Sequence, residues 1–235
     1  MMKDNTLNYI QEKCVEVCDD LNISEFSDKL YNTVVSGYTD NTFRKYHNLD
    51  HIKDCLLTLE CSKYNGNNLA ILKMALLFHD IVYVPGRFDN EFESSKCFLK
   101  FINKLNIPKS KLEFDVYDVR DLILITDHFR EEYYEDLLGD ENHFLYSEIS
   151  YIRDIDLSGL GNSLETYYEN EKKVREEFLY YVDTYTYWKN RIKFLKNLLS
   201  RDCIFETEEF FNEYENQAIN NMYNELGRIY FDLDH

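Results

Sequence analysis

His79 and Asp80 adjoin at the end of the most apolar helical stretch of the chain, Leu69 to about His79. Both side chains are strong metal ligands, and both are costly to bury unless something compensates them. The pair alone proves little, because a chain of this composition carries roughly half a His-Asp dipeptide by chance. A helix C-terminus with a favourable His and a turn-forming Asp accounts for it equally well.

His47 and His51 shift that balance. Their spacing puts both on one face if a single helix holds both. The pattern resembles the zinc-peptidase helix, but Asn48 stands where that mechanism needs a general-base Glu, which argues against a zinc peptidase. If Asn48 caps the helix, His47 lies outside and only His51 projects from the first turn. Four histidines (47, 51, 79 and 128) thus fall at helix ends or beside apolar stripes. Asp80 and Asp156 supply the anions a metal requires. Two imidazoles with two carboxylates form a mixed site suited to Mn²⁺, Fe²⁺, Co²⁺, Ni²⁺ or Mg²⁺. Such an ion would lower the pKa of water and polarise a phosphoryl group.

The order His51, His79-Asp80, Asp156 resembles the H…HD…D signature of the HD superfamily of metal-dependent phosphohydrolases. The resemblance is closer to its predicted metal-dependent phosphohydrolase subgroup. Its landmarks are Arg44-Lys45-Tyr46-His47-Asn48-Leu49-Asp50-His51-Ile52, then Phe78-His79-Asp80-Ile81-Val82-Tyr83, then Asp89-Asn90-Glu91 with Ser94. Thr126, His128 and Asp154-Ile155-Asp156-Leu157-Ser158 follow, and then Arg191, Leu195 and the segment 200–207. Val84 departs from the subgroup, which often carries Asp after the tyrosine. The resemblance implies an all-α bundle of HD-domain type, with His51, His79, Asp80 and Asp156 around one divalent ion. It makes His47, Glu91 and His128 candidates for an outer shell, a second metal or proton transfer. Asp154 is then a second-shell or surface acid.

The activity this implies is hydrolysis of a small phosphorylated metabolite, most plausibly a nucleotide, with Glu91 or His128 assisting water. Glu91 is equally well explained as a first-turn acid favoured by the helix dipole. Phosphate needs a local basic pocket, for which Arg44, Lys45 and Arg87 stand beside the ligands in sequence, and Arg191 and Arg201 in matching family positions. Tyr46 and Tyr83 could stack on a base or pack in the core. Two rival readings are a di-iron oxygenase, for which His47 and His128 would serve a second iron, and a non-catalytic domain that binds a nucleotide or a protein partner.

These residues need a helical scaffold, and the composition supplies one. Two prolines and seven glycines in 235 residues argue against a turn-rich sandwich or barrel. Apolar stripes mark successive helices: Leu7, Ile10, Cys14, Cys18 and Leu21; then Phe26, Leu30, Val34 and Val35, ending near Ser36-Gly37; then Ile52, Cys55, Leu56 and Leu59 behind an Asn48 cap. After the loop from Ile81 to Asp89, a helix from Asn90 carries Phe98, Leu99, Ile102 and Leu105 and is stopped by Pro108. Another runs from Val116 to near His128. The acidic segment Glu131 to Glu141 reads as exposed loop. Phe144 to Ile155 and three helices over Ser163–Val182, Thr184–Ser200 and Thr207–Gly227 complete one domain, 1–235, with its motifs in 44–158. The net charge of −18 excludes long nucleic acid and anionic membrane as partners. No spanning segment or secretory signal is evident, so a soluble, cytoplasmic protein is expected. The six cysteines contain no Cys-x-x-Cys pair and read as buried, reduced thiols.

Overall fold

The computed structural model describes residues 2–39, 43–108, 111–130 and 146–234. Among these the regular structure is entirely helical, with ten α-helices and no strand. They are α1 (Met2–Asp20), α2 (Ser27–Thr39), α3 (Leu49–Cys61), α4 (Leu69–Phe78), α5 (Asn90–Leu105), α6 (Val116–Leu124), α7 (Tyr146–Leu157), α8 (Leu164–Phe178), α9 (Thr184–Leu199) and α10 (Glu208–Asp234). The acidic segment expected as a loop, Glu131 to Glu141, lies outside the described residues, as do Phe144 and Leu145.

Helix α4 is the axis of the bundle. It is apolar all round, the pattern of a helix with no face left for solvent. Every residue from Ile71 to Phe78 is buried, and α1, α3, α5, α6 and α7 all pack against it. Lys73, the one charge in this run, pairs with Glu16 of α1. Each large apolar side chain sequestered here contributes about 1.5–3 kcal/mol, which offsets the cost of polar groups held at the helix end. One hydrophobic cluster runs from Ile10 in α1 to Ile229 in α10.

Several boundaries differ from those the sequence suggests. Helix α2 runs through Gly37 to Thr39, because Gly37 is needed for close packing rather than as a stop. A Cβ there would lie 2.3 Å from the Ile81 side chain. Helix α10 likewise continues past Gly227 to Asp234, since its buried stripe of Met222, Leu226 and Ile229 extends beyond the glycine. Helix α6 ends at Leu124, and His128 lies beyond it rather than in its last turn. Helix α8 ends at Phe178, four residues early, and Asp183 then caps α9 by accepting from the Thr186 amide at 2.9 Å. A short 3₁₀ turn, Ser158–Gly161, extends α7 and packs on α10. Gly161 permits this, as a Cβ would meet Tyr214 at 2.6 Å.

The cysteine expectation needs correction. All six are free, but only Cys14, Cys18 and Cys55 are buried, while Cys61 and Cys203 are exposed and Cys97 is half-buried. Cys61 is the last residue of α3 and Cys203 lies in the loop before α10, beyond the reach of the apolar stripes. Among the described residues, no helix is long and apolar enough to cross a membrane.

Candidate metal centre

Three helix ends and one loop converge beside α4. Asn48 caps α3, its Oδ1 accepting from the Asp50 amide at 2.8 Å, so His47 stands outside the helix and His51 is its third residue. His79 follows the last residue of α4, and Asp156 lies in the final turn of α7. The loop after α6 carries His128. His51, His79, Asp80 and His128 are buried, and Asp156 is partly so.

His79 fixes the chemistry of the cluster. Its Nδ1 donates to the Leu76 carbonyl at 2.9 Å. A carbonyl can only accept, so Nδ1 carries the proton and Nε2 is the atom left to coordinate or be protonated. That Nε2 is buried without a hydrogen-bond partner. It lies 3.4 Å from Asp80 Oδ2 and 3.4 Å from Asp156 Oδ1. His51 Nε2 is 3.7 Å from the same Asp80 oxygen and 3.5 Å from the same Asp156 oxygen. These separations exceed direct hydrogen bonds. They match the edges of a tetrahedron whose bonds are 2.0–2.3 Å long, about 3.3–3.8 Å. These four separations are compatible with one divalent ion held between the side chains.

The electrostatics agree. Burial opposes ionisation of Asp80, but the His79 imidazole outweighs it and holds the carboxyl well below the usual range. Asp156 is likewise held low against burial by its hydrogen bond from His128 and by the imidazoles of His51 and His79 beside it. Burial also opposes charge on His79, yet Asp80 and Asp156 push its proton affinity up. Two ionised carboxylates in this space demand positive charge, which protons or a cation can supply.

His128 Nε2 lies 2.8 Å from Asp156 Oδ2, and its Nδ1 is buried without a partner. Burial, assisted by Arg153 and Arg201, lowers its proton affinity despite the Asp156 bond. Glu91, in the first turn of α5, is half-buried. Burial pushes its carboxyl up to about 7, and the charges of Asp127, Asp80 and Asp156 add to the shift. Val84, where an acid might stand, is instead tied by its backbone to the Asn90 side chain at 3.0 and 3.1 Å.

Some expected roles are corrected. Arg44 is engaged with the backbone. It is buried and donates to the carbonyls of His47, Asp80 and Ile81 at 2.8–2.9 Å, clamping the segment before α3 to the chain after α4. Arg191 is bound through Nε and one terminal nitrogen to Glu225 at 2.8 and 3.0 Å, with Tyr167 alongside. It belongs to the α8–α10 packing and not to the cluster. Arg87 forms a bidentate pair with Asp89 at 2.7 and 2.6 Å. Arg201 does reach the site, donating to the His128 carbonyl. Asp154 is no surface acid. It is fully buried and accepts from the Glu206 and Thr207 amides at 2.8 Å each, which secures the start of α10.

His47 is committed elsewhere too. Its Nδ1 lies 2.6 Å from Glu177 Oε2, while Oε1 of that carboxylate accepts from the amides of Lys45, Tyr46 and His47. Tyr83 stacks on the His47 ring with centroids 4.0 Å apart, and Tyr46 lies 4.9 Å from His51. Glu177 is a residue that sequence reasoning misses, because nothing local marks an acid 130 positions away as a partner. Cys55 is the other omission. Its Sγ lies 3.8 and 3.7 Å from the two His51 ring nitrogens. Single ligand atoms of His51, Cys55, His79 and Asp156 all fall within 4.8 Å of one another. The signal was present as a His-x-x-x-Cys spacing on one helix face.

Compared with known proteins, the chain matches no protein-family model and no curated protein.

Proposed function

We propose that the chain is a metal-dependent phosphohydrolase of HD type acting on a small phosphorylated metabolite, a nucleotide being the favoured class. The observation that carries this reading is the buried His79 Nε2, unpartnered and facing two carboxylates beside a second imidazole. His51, His79, Asp80 and Asp156 would hold a divalent ion. When bound, the ion would supply Lewis acidity towards a phosphoryl oxygen and towards water.

The remaining tasks fall to side chains. Glu91 exchanges a proton near neutral pH, the range in which a general acid or base works best. His128 is oriented at Nε2 by Asp156 and through its carbonyl by Arg201, which suits it to pass a proton at the edge of the site. Phosphate recognition rests on fewer cations than the sequence offers. Arg44 and Arg191 are spent on internal bonds and Arg201 donates to the His128 carbonyl, which leaves exposed Lys45 beside His47 as a charge that could face a phosphate.

That shortage favours one second reading, a domain that binds a nucleotide or a partner without turning it over. A second iron would have to use His47 and His128, each of which has one ring nitrogen bonded to a carboxylate, Glu177 and Asp156. The deciding experiment is a phosphate-release screen over mononucleotides, alarmones and dinucleoside polyphosphates with each divalent ion. Release that is lost in Asp80→Ala supports hydrolysis. Metal-loaded protein that binds a nucleotide but releases no phosphate contradicts it.

A further inference from the structure

We infer that Cys55 is a sulfur ligand of the same ion, so that the centre is built for a thiophilic cation such as Zn²⁺, Co²⁺ or Fe²⁺ rather than Mg²⁺. The inference rests on the proposed metal centre and deepens it.

Cys55 follows His51 by one helical turn, on the face of α3 that looks at the ends of α4 and α7. It differs from the other buried cysteines in its neighbours. Cys14 and Cys18 belong to the α1 stripe with Ile10, Val17 and Leu21. Cys55 instead has its Sγ 3.7 Å from His51 Nε2, with His79 and Asp156 atoms inside the same 4.8 Å group. With bonds of about 2.3 Å to sulfur and about 2.0–2.1 Å to nitrogen, two ligands on a tetrahedral ion stand about 3.5 Å apart. The observed sulfur–nitrogen separation is close to that edge. The independent pointer to a ligand is again the unpartnered, buried Nε2 of His79, which faces the same space.

Two imidazoles and one thiolate beside the Asp80 and Asp156 carboxylates favour borderline-soft ions, because Mg²⁺ demands oxygen donors in an octahedron and gains little from sulfur. Binding breaks the Cys55 Sγ–H bond and forms an Sγ–metal bond. The proton passes to solvent, and no electron is transferred. The thiolate and Asp156 neutralise a divalent ion between them. Asp80 then remains as a further carboxylate at 3.4 Å from His79 Nε2.

The test uses the full chain in a Cys61→Ser/Cys203→Ser background, which removes the two exposed thiols as adventitious ligands. The protein is stripped with chelator and reconstituted with Co²⁺. A sulfur-to-cobalt charge-transfer band that grows in proportion to bound cobalt is expected. Cys55→Ser should lose that band and bind cobalt at least about tenfold more weakly, with helical circular dichroism retained. X-ray absorption of the zinc form should show one sulfur neighbour at about 2.3 Å, a readout that holds even if the variant folds poorly. Cobalt bound without the band, and zinc without a sulfur neighbour, would overturn the role of Cys55 while leaving the metal centre intact. A band that survives in Cys55→Ser overturns it as well. Failure of the unsubstituted chain to bind either ion would overturn both the inference and the reading beneath it.

Discussion

The Nδ1 of His47 stands 2.6 Å from Oε2 of Glu177, joining the segment ahead of α3 to the end of α8 across 130 positions of sequence. This one carboxylate also receives three consecutive backbone amides, so it holds both a charge and a chain conformation. Burial opposes charge on His47, but Glu177 outweighs it and raises the imidazole above its ordinary 6.5. Glu177 is lowered below its ordinary 4.5 by the same pairing, against its own burial.

Glu177→Gln should therefore cost about 2 kcal/mol, the scale of a hydrogen bond to a charged group. The His47 part of that stability is complete below pH 6.5 and is lost as pH rises through the raised value. The Glu177 part is present above 4.5 and is lost in acid, as pH falls through its lowered value. Denaturant midpoints across this range should show the largest penalty for the variant between those limits and a smaller one in alkali.

Glu91 works in the opposite direction to a paired acid. Its folded value of about 7 lies above its ordinary 4.5, so it contributes stability at low pH that disappears as pH rises through about 7. In chelator-treated protein, Glu91→Gln should gain on the parent by on the order of 3 kcal/mol above neutrality and match it in acid. In metal-loaded protein the proposed hydrolysis should fall about a hundredfold in the same variant and lose the pH-dependent limb assigned to this group. Urea unfolding and a pH–rate profile check the two halves separately.

Arg44 fastens the His47 carbonyl to those of Asp80 and Ile81, so it holds together the two segments that lead to His51 and carry Asp80, both proposed as ligands. Lysine keeps the charge but not the planar fork. Arg44→Lys should weaken metal binding about tenfold, as loss of ligand-supporting bonds commonly does. KM measured at saturating metal should be unchanged. Isothermal titration with the metal ion checks the first half, and initial rates the second.

Arg191→Met leaves the buried Glu225 carboxylate without its guanidinium, which should destabilise the fold by about 3–5 kcal/mol. Replacing both residues by Met should recover much of that loss. Thermal unfolding distinguishes this from a substrate-binding role, which would instead raise KM in a folded variant.

How far the sequence foretells this arrangement differs by residue. His51, His79-Asp80 and Asp156 are legible as a set because each stands at a helix end next to an apolar stripe, where a polar residue needs a reason. Asn48 as a cap is legible for the same local reason, and it settles that His47 lies outside α3. The helical class follows from periodicity and from the scarcity of Gly and Pro. The fate of the arginines is not legible. Arg44 and Arg191 read as cations near a phosphate until their partners, 36 and 34 positions away, are known. Cys55 is hidden for another reason: a residue one turn after His51 falls on the same stripe as core residues Ile52 and Leu56, so packing and proposed coordination share a periodicity. Gly37 and Gly227 mislead as helix stops, because close packing at one and open space at the other let the helix continue.

The cluster around His79 Nε2 is proposed to hold a metal ion. Its most direct test is elemental analysis of the purified full chain and of His79→Ala after dialysis against metal-free buffer, with circular dichroism showing that both are folded. About one divalent ion per unsubstituted chain is expected, and less than about a tenth of that in the variant. Equal metal content in the two proteins, or none in the unsubstituted chain after reconstitution with excess ion, would contradict it.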